Sequence, residues 1–294
     1  MAVNHPLTVT QGQPLLAYLF DVLGQRRRAV KNLLKFGAVR VNGVTVRQFD
    51  HLLSPGDQVT VGNLRAAAAS RSLERARIRP VHEDDTLIVV DKPSGLLTVA
   101  TDHENADTLY VRLNEYLRSR KAPRPTRALV VHRLDQETSG LVLFAKSDPV
   151  KRLMQDTWRT VEKIYWAVVQ GQPNADQGTI TSYLIEDSQS LKVFASDRPI
   201  AGSRLAIAHY HVLKTRGDHS LVEVRLETGR KHQIRVQLAS IGCPVAGDRR
   251  YGTNSDACPR LALHAGKLLL AHPLTCQRLD FTSPLPKTLQ KLVS

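Results

Sequence analysis

From Val81 onward the chain mixes short apolar, β-prone runs with single amphipathic helices in no regular alternation, and this restricts the fold more than any other feature. Thr86-Leu87-Ile88-Val89-Val90-Asp91 and Leu141-Val142-Leu143-Phe144-Ala145 have the length and β-branched or aromatic content of buried strands. Residues 163–169, 205–214 and 221–227 also read as strands. The last sets Val222, Val224 and Leu226 against Glu223, Arg225 and Glu227, one face apolar and one polar. Helices are predicted over 107–117, 149–160 and 232–241, with Leu109, Leu113 and Leu117 on one side of the first and Ile234, Leu238 and Ile241 on one side of the third. A doubly wound sheet requires a repeating strand–helix–strand rhythm, which is missing, so the class is α+β.

The first sixty residues have a different character. Residues 14–23 carry Leu15, Leu16, Leu19, Phe20 and Leu23 at helical spacing, with Pro14 suited to a first turn. A second helix is predicted over 26–36, with Val30, Leu33 and Leu34 apolar and Gly37 as its stop. Two β-prone stretches then flank Asn42-Gly43, the strongest short hairpin signal, and the turn Ser54-Pro55-Gly56-Asp57 leads into the strand-like Gln58-Val59-Thr60-Val61. Two helices, a hairpin and a further strand resemble the S4-type RNA-binding domain over residues 11–63. Residues 64–80, rich in Ala and Arg, read as a linker or as a helix packed on one of the domains.

Charge points the same way. The chain carries 41 Lys and Arg against 27 Asp and Glu, a formal net charge of +14. Twelve basic and four acidic residues lie between Asp21 and Pro80, over half the net charge in a fifth of the length. A basic helix face and a basic hairpin suit the phosphates of structured RNA. The candidate contacts are Arg26, Arg27, Arg28, Lys31, Lys35 and Arg40. The alternative is a small module with a solvated basic face.

Several classes are disfavoured. No apolar run approaches the roughly 20 residues needed to cross a bilayer. The N-terminus lacks a basic segment followed by an apolar core, and no arginine precedes Arg26, so a cytoplasmic protein is expected. Cys243, Cys258 and Cys276 are widely spaced and form no CxxC pair, which suggests neither a disulfide framework nor a zinc site. No GxGxxG, P-loop or metal-ligand cluster is present.

Three segments of the larger region form a pattern. They are Val89-Val90-Asp91-Lys92-Pro93-Ser94-Gly95-Leu96; His132-Arg133-Leu134-Asp135-Gln136-Glu137-Thr138-Ser139-Gly140; and Leu226-Glu227-Thr228-Gly229-Arg230-Lys231-His232-Gln233-Ile234-Arg235, running on to Asp248. In order and spacing they resemble the RluA-type pseudouridine synthases over residues 81–280. The resemblance implies a catalytic domain over 81–294 with a mixed, largely antiparallel central sheet and peripheral helices. It also implies conversion of uridine to pseudouridine in RNA. That reaction breaks the bond from C1′ to N1, rotates the base and joins C1′ to C5. It needs no redox change, so no cofactor and no metal are expected.

Within this resemblance Asp135 is the catalytic carboxylate, acting as nucleophile at the sugar or as the base that abstracts a sugar proton. A pocket carboxylate needs a cationic neighbour to stay ionised, and the resemblance assigns Arg235. Without the motif, Arg235 reads as a surface residue of an amphipathic helix. Tyr165 is implied as the wall against which the uracil stacks, and Arg133 as an RNA contact where the flipped base was; flipping costs a few kcal/mol. Trp166, facing the other way on its strand, is expected in the core. His132, Thr138, Ser139, Gly140 and Lys92 are supporting residues, with Gly140 allowing a backbone angle closed to other residues. His264 is expected in the core or behind the site. Gln237 and Cys243 stand where histidines are more usual in this family. The expected partner is structured RNA, ribosomal before transfer RNA, with the protein a monomer. The rivals are an RNA-binding protein without catalysis and a glycoside-type hydrolase pairing Asp135 with Glu137.

Overall fold

A computed structural model describes residues 3–64, 67, 78–100, 107–119, 126–187, 189–190, 192–252 and 258–294. Most of the segment 64–80 lies outside the described residues. Contacts divide the chain into two units, Met1–Ile78 with Tyr110–Ala128, and Arg79–Leu109 with Leu129–Ser294.

In the first unit the chain runs β1 (Val3–Thr8), β2 (Gln13–Pro14), α1 (Leu15–Leu23), α2 (Arg27–Phe36), β3 (Val39–Val41), β4 (Val44–Thr45), β5 (Leu52–Leu53) and β6 (Gln58–Val61). The sheet order is β1-β6-β3-β4, and β2 pairs separately with β5. Helix α2 buries Val30, Leu33 and Leu34. The same 3.6-residue period leaves Arg27, Arg28, Lys31 and Lys35 exposed, and Arg26 and Arg40 are exposed too. Gly37 ends the helix at φ 73°, its N–H bonded to the carbonyls of Leu33 and Leu34. Asn42 and Gly43 turn the hairpin, both left-handed at φ 51° and 81°, as a type I′ turn requires.

In chain order the remaining elements are β7 (Arg79–Glu83), β8 (Leu87–Lys92), α3 (Leu109–Ser119), β9 (Leu129–Val130), β10 (Ser139–Ala145), α4 (Asp148–Asp156), β11 (Glu162–Gln170), β12 (Gln177–Glu186) and β13 (Val193–Ser196). β14 (Arg204–Arg216), β15 (His219–Leu226), α5 (Gln233–Ser240), β16 (Leu263–Ala271), β17 (Arg278–Thr282) and α6 (Lys287–Gln290) follow. Among the described residues eleven strands form one sheet, in the order β13-β12-β14-β15-β11-β16-β10-β8-β7, with β17 on β16 and β9 on β10. All pairings are antiparallel except that of β10 with β16. The α+β class and the mixed, largely antiparallel sheet are as expected.

Two local expectations fail. The helix predicted over 149–160 is α4, which ends at Asp156. Beyond it the Thr157 and Thr160 hydroxyls bond the carbonyls of Leu153 and Thr157, the local side-chain competition that shortens helices. Trp166 is half-buried rather than in the core. Its ring covers Gly266, where a Cβ would come within 2.5 Å of it, and stacks on His264 at 6.0 Å. Strands β1, β2, β5, β7, β9, β12, β13, β16 and β17 lie outside the strand segments assigned from sequence.

Candidate active site

Asp135 lies in the turn between β9 and β10, and hydrogen bonds to the main chain of that turn fix it against residues 92–98. The Gly95 N–H bonds Gln136 O at 2.9 Å. Ser94 Oγ donates to Glu137 O at 2.6 Å. Thr98 Oγ1 donates to Leu134 O at 2.8 Å and accepts from the Leu134 N–H at 3.2 Å. The buried Lys92 ammonium closes this clamp, donating to Leu96 O at 2.7 Å, Gln136 O at 2.9 Å and Pro93 O at 3.1 Å. Burial pushes the Lys92 amine down to about 7, against the opposing pull of Asp135.

The other supporting residues brace the same turn. His132 Nε2 accepts the Leu143 N–H at 3.0 Å, and its ring stacks on Trp158 at 4.3 Å. Burial lowers it to about 3, so it stays neutral with that nitrogen occupied. Ser139 accepts from Arg260 at 2.6 Å and lies 2.9 Å from His264 Nδ1. Burial lowers the His264 imidazole to about 4. Gly140 has φ 114°, and a Cβ there would lie 2.3 Å from Ala265 O. Only glycine permits both that angle and that approach.

Arg133, Asp135, Thr138, Tyr165, His232 and Arg235 line one open cavity with Leu134 and Leu226. The half-buried Asp135 carboxylate accepts no hydrogen bond from the described residues. Arg235 Nη1 is 3.8 Å and His232 Nε2 3.9 Å from the same oxygen, Oδ2. Burial, with the Asp135 charge second, raises the Tyr165 phenol far above its usual value, so it is protonated at neutral pH. Arg133 is exposed at the rim. Glu137 is exposed and does not line the cavity, so the second carboxylate of a glycoside-type hydrolase is not in place.

The site differs from its sequence-level picture in what holds Arg235. That residue is buried, and its guanidinium forms a two-pronged bond with Asp248, 2.7 Å for both Nε–Oδ2 and Nη2–Oδ1. Burial disfavours both charges, and their mutual bonds outweigh it, raising the arginine and lowering the aspartate. Asp248 also accepts the N–H groups of Arg250 and Tyr251 at 2.9 and 3.1 Å. The Tyr251 ring lies 5.1 Å from the Arg235 guanidinium carbon.

His232 is a second residue that sequence reasoning does not place in the site. It adopts a left-handed backbone, φ 53°, at the start of α5. Tyr251 Oη accepts the Val193 N–H at 3.0 Å and lies 2.8 Å from His232 Nδ1. With that phenolic proton given to Nδ1, Nε2 carries the imidazole hydrogen toward Asp135. Burial lowers His232, opposed by Asp135, in keeping with a neutral ring. The signal for both supports is the extension of the third motif as far as Asp248 and the tyrosine just beyond it. Gln237 is a buried packing residue whose Nε2 donates to Ile180 O and Ala206 O, both at 3.1 Å, and Cys243 is buried in the main core. Among the described residues no three His, Cys, Asp or Glu side chains are grouped to hold a metal, and no helix is long and apolar enough to cross a membrane.

Comparison with known proteins gives the family. The RNA pseudouridylate synthase family profile covers residues 86–240. The uncharacterized RNA pseudouridine synthase YlyB of Bacillus subtilis is 35% identical over 271 residues, 91% of this chain and 88% of that protein. Ribosomal large subunit pseudouridine synthase D of Pseudomonas aeruginosa is 32% identical over 297 residues, 95% of this chain and 90% of that protein. In fold, the chain is similar to human RNA pseudouridylate synthase domain containing 4, with a TM-score of 0.61 at 24% identity over 77% of this chain and 94% of that one. With the motifs, the sheet and these relatives in agreement, the chain belongs to the RNA pseudouridylate synthase family, the isomerases that convert uridine to pseudouridine in RNA.

Proposed function

We propose that the enzyme acts on structured RNA, ribosomal RNA first and transfer RNA second, with Asp135 as the group that engages the target nucleoside. One observation carries this: a half-buried carboxylate with no hydrogen bond of its own faces an open cavity beside a fixed guanidinium 3.8 Å away. Both flanking nitrogens lie against Oδ2, which leaves Oδ1 for the sugar. Oδ1 either attacks C1′ or removes a sugar proton.

The other groups fit that chemistry. Arg235, immobilised by Asp248, supplies a positive charge that needs no rearrangement during the reaction. Tyr165 provides an aromatic wall for the uracil and, as a protonated phenol, a hydrogen-bond donor. Arg133 at the rim stacks on bases or pairs with phosphate where the uridine leaves its helix. His232 offers its Nε2–H to Oδ2 or to a uracil oxygen. Ribosomal RNA is favoured because relatives of this length carry the name ribosomal large subunit pseudouridine synthase D.

Residues 11–63 are assigned to RNA binding as an S4-like domain ahead of a catalytic domain over 81–294, through Arg26, Arg27, Arg28, Lys31, Lys35 and Arg40. The reading includes a monomer acting in the cytoplasm. Incubation with ribosomal RNA tritiated at uracil C5 tests it, because isomerisation releases that hydrogen to water. Release by the wild type and none by Asp135→Asn is expected. RNA binding without release from any cellular RNA would establish a binding protein instead.

A further inference from the structure

A second open cavity in the larger unit adjoins the first and takes no part in the chemistry proposed above. Leu184, Glu186, Val193, Arg204, Arg230 and Lys231 line it, with Gly202 and Gly229 at its edge. Arg230 lines both cavities, so the turn 229–232 is their common wall.

The strand register puts both on one face of the sheet. Tyr165 faces Val224 across β11 and β15, and Val224 faces Tyr210 across β15 and β14. Alternate residues of β14 then lead through Ala208 and Ala206 to Arg204 on the same face. Arg204 is opposite Leu184, and Glu186 is opposite Val193. A strand of RNA leaving the active cavity across Arg230 therefore enters the second without rounding a sheet edge.

The lining suits a phosphodiester. Three cations face one carboxylate, and that carboxylate, Glu186, is ion-paired with Lys231. Arg230 is fixed by its Nε bond to Leu205 O at 3.0 Å and by its own N–H bond to Gln233 Oε1 at 3.0 Å. Neither bond uses its terminal nitrogens. Arg204 is exposed, and Gly229 leaves open space where a side chain would stand. A planar guanidinium with its outer donors unspent grips a phosphate with two parallel bonds. The apolar floor of Leu184 and Val193 suits the edge of a ribose.

We infer that this cavity is a phosphate subsite that takes the phosphodiester of a nucleotide next to the target uridine. The inference rests on the RNA-directed function proposed above.

Equilibrium binding of a fluorescein-labelled decauridylate by the full chain, read by anisotropy across a salt series, tests it. Arg204→Glu is expected to weaken binding at least fivefold. It is also expected to flatten the slope of log affinity against log salt by about 0.7 for each phosphate left without its cation. Glu186→Gln is expected to tighten binding about two- to fivefold, as removal of a negative charge from an anion site does. The opposite signs keep the test decisive if one variant folds poorly. Inorganic phosphate at 10 mM is expected to leave the oligonucleotide bound. Displacement by phosphate alone would overturn the inference in favour of a general anion pocket, and unchanged affinity and salt slope in both variants would overturn it outright. Tritium release by the wild type, absent in Asp135→Asn, is scored separately. It tests the function itself and does not depend on the outcome for Arg204.

Discussion

Two stretches of chain meet at the active cavity and are held in opposite ways. Around Asp135 itself, residues 134–137 are held by their main-chain carbonyls and N–H groups, which the side chains of Lys92, Ser94 and Thr98 gather. Residues 229–251 are tied by side chains, the Arg235–Asp248 fork and the Tyr251–His232 contact. The first arrangement leaves the Asp135 side chain free of hydrogen bonds. The second spends two of the three guanidinium nitrogens of Arg235 on its own support and leaves Nη1 toward Asp135. A reacting carboxylate is most useful uncommitted, and a stabilising charge is most useful immobile.

The contrast between the two stretches is sharpest at the carboxylate itself. Asp135→Asn is expected to lower kcat by at least roughly a thousandfold with folding unchanged, because nothing in the fold depends on that side chain. Thermal unfolding and single-turnover tritium release check both halves. Asp248→Ala is expected to cost about 3–5 kcal/mol by leaving a buried guanidinium unpaired. It should also lower kcat about a hundredfold as Arg235 drifts. Urea unfolding and steady-state kinetics read these, and an unaltered kcat would show that Arg235 does not need its fork.

Lys92→Met is expected to cost about 1–3 kcal/mol, since it strands carbonyls on both sides of the clamp, again read by urea unfolding. Tyr251→Phe removes the donor to His232 and the acceptor of the Val193 N–H. About tenfold in kcat and about 1 kcal/mol of stability are expected to go, with KM little changed. A loss of stability without the loss of kcat would make Tyr251 a packing residue only.

A further effect lies in pH. His132 takes up its proton near 6.5 when unfolded and only near 3 in the fold. The unfolded chain therefore binds the extra proton between those values, and this group makes stability fall as pH falls from about 6.5 toward 3. His132→Gln is expected to flatten that part of the stability curve, measured by denaturant midpoints from pH 6.5 to 4.

Much of this is legible in local patterns. Apolar spacing and the stops at Gly37 and Asn42-Gly43 locate α2 and the hairpin, since local sterics decide both. The alternation over 221–227 locates β15. The motif around Asp135 locates the turn that carries it, and Gly140 stands out there for a backbone angle it does adopt. What resists reading depends on distance along the chain. Asp248 lies 13 positions from Arg235, beyond any helical or strand period, so only the tertiary fold joins them. The part played by Lys92 rests on carbonyls of residues 93, 96 and 136, and carbonyls leave no trace in a residue pattern. Trp166 defies its strand pattern because its partner surface is bare backbone at Gly266.

The close passage of Gly140 against Ala265 bears on how the protein comes into being. At that point β10 joins β16 in the one parallel strand pairing among the described residues of the sheet, between positions 125 apart. Parallel contacts at such separation pay their loop-closure entropy before they return any stability, and they form late. A ribosome releases residues 263–271 well after the turn that bears Asp135. Until then the turn bearing Asp135 lacks one of the three strands that pair with β10. The growing chain thus carries the Asp135 carboxylate long before it has a complete cavity around it, because Leu263, at the start of β16, lines that cavity.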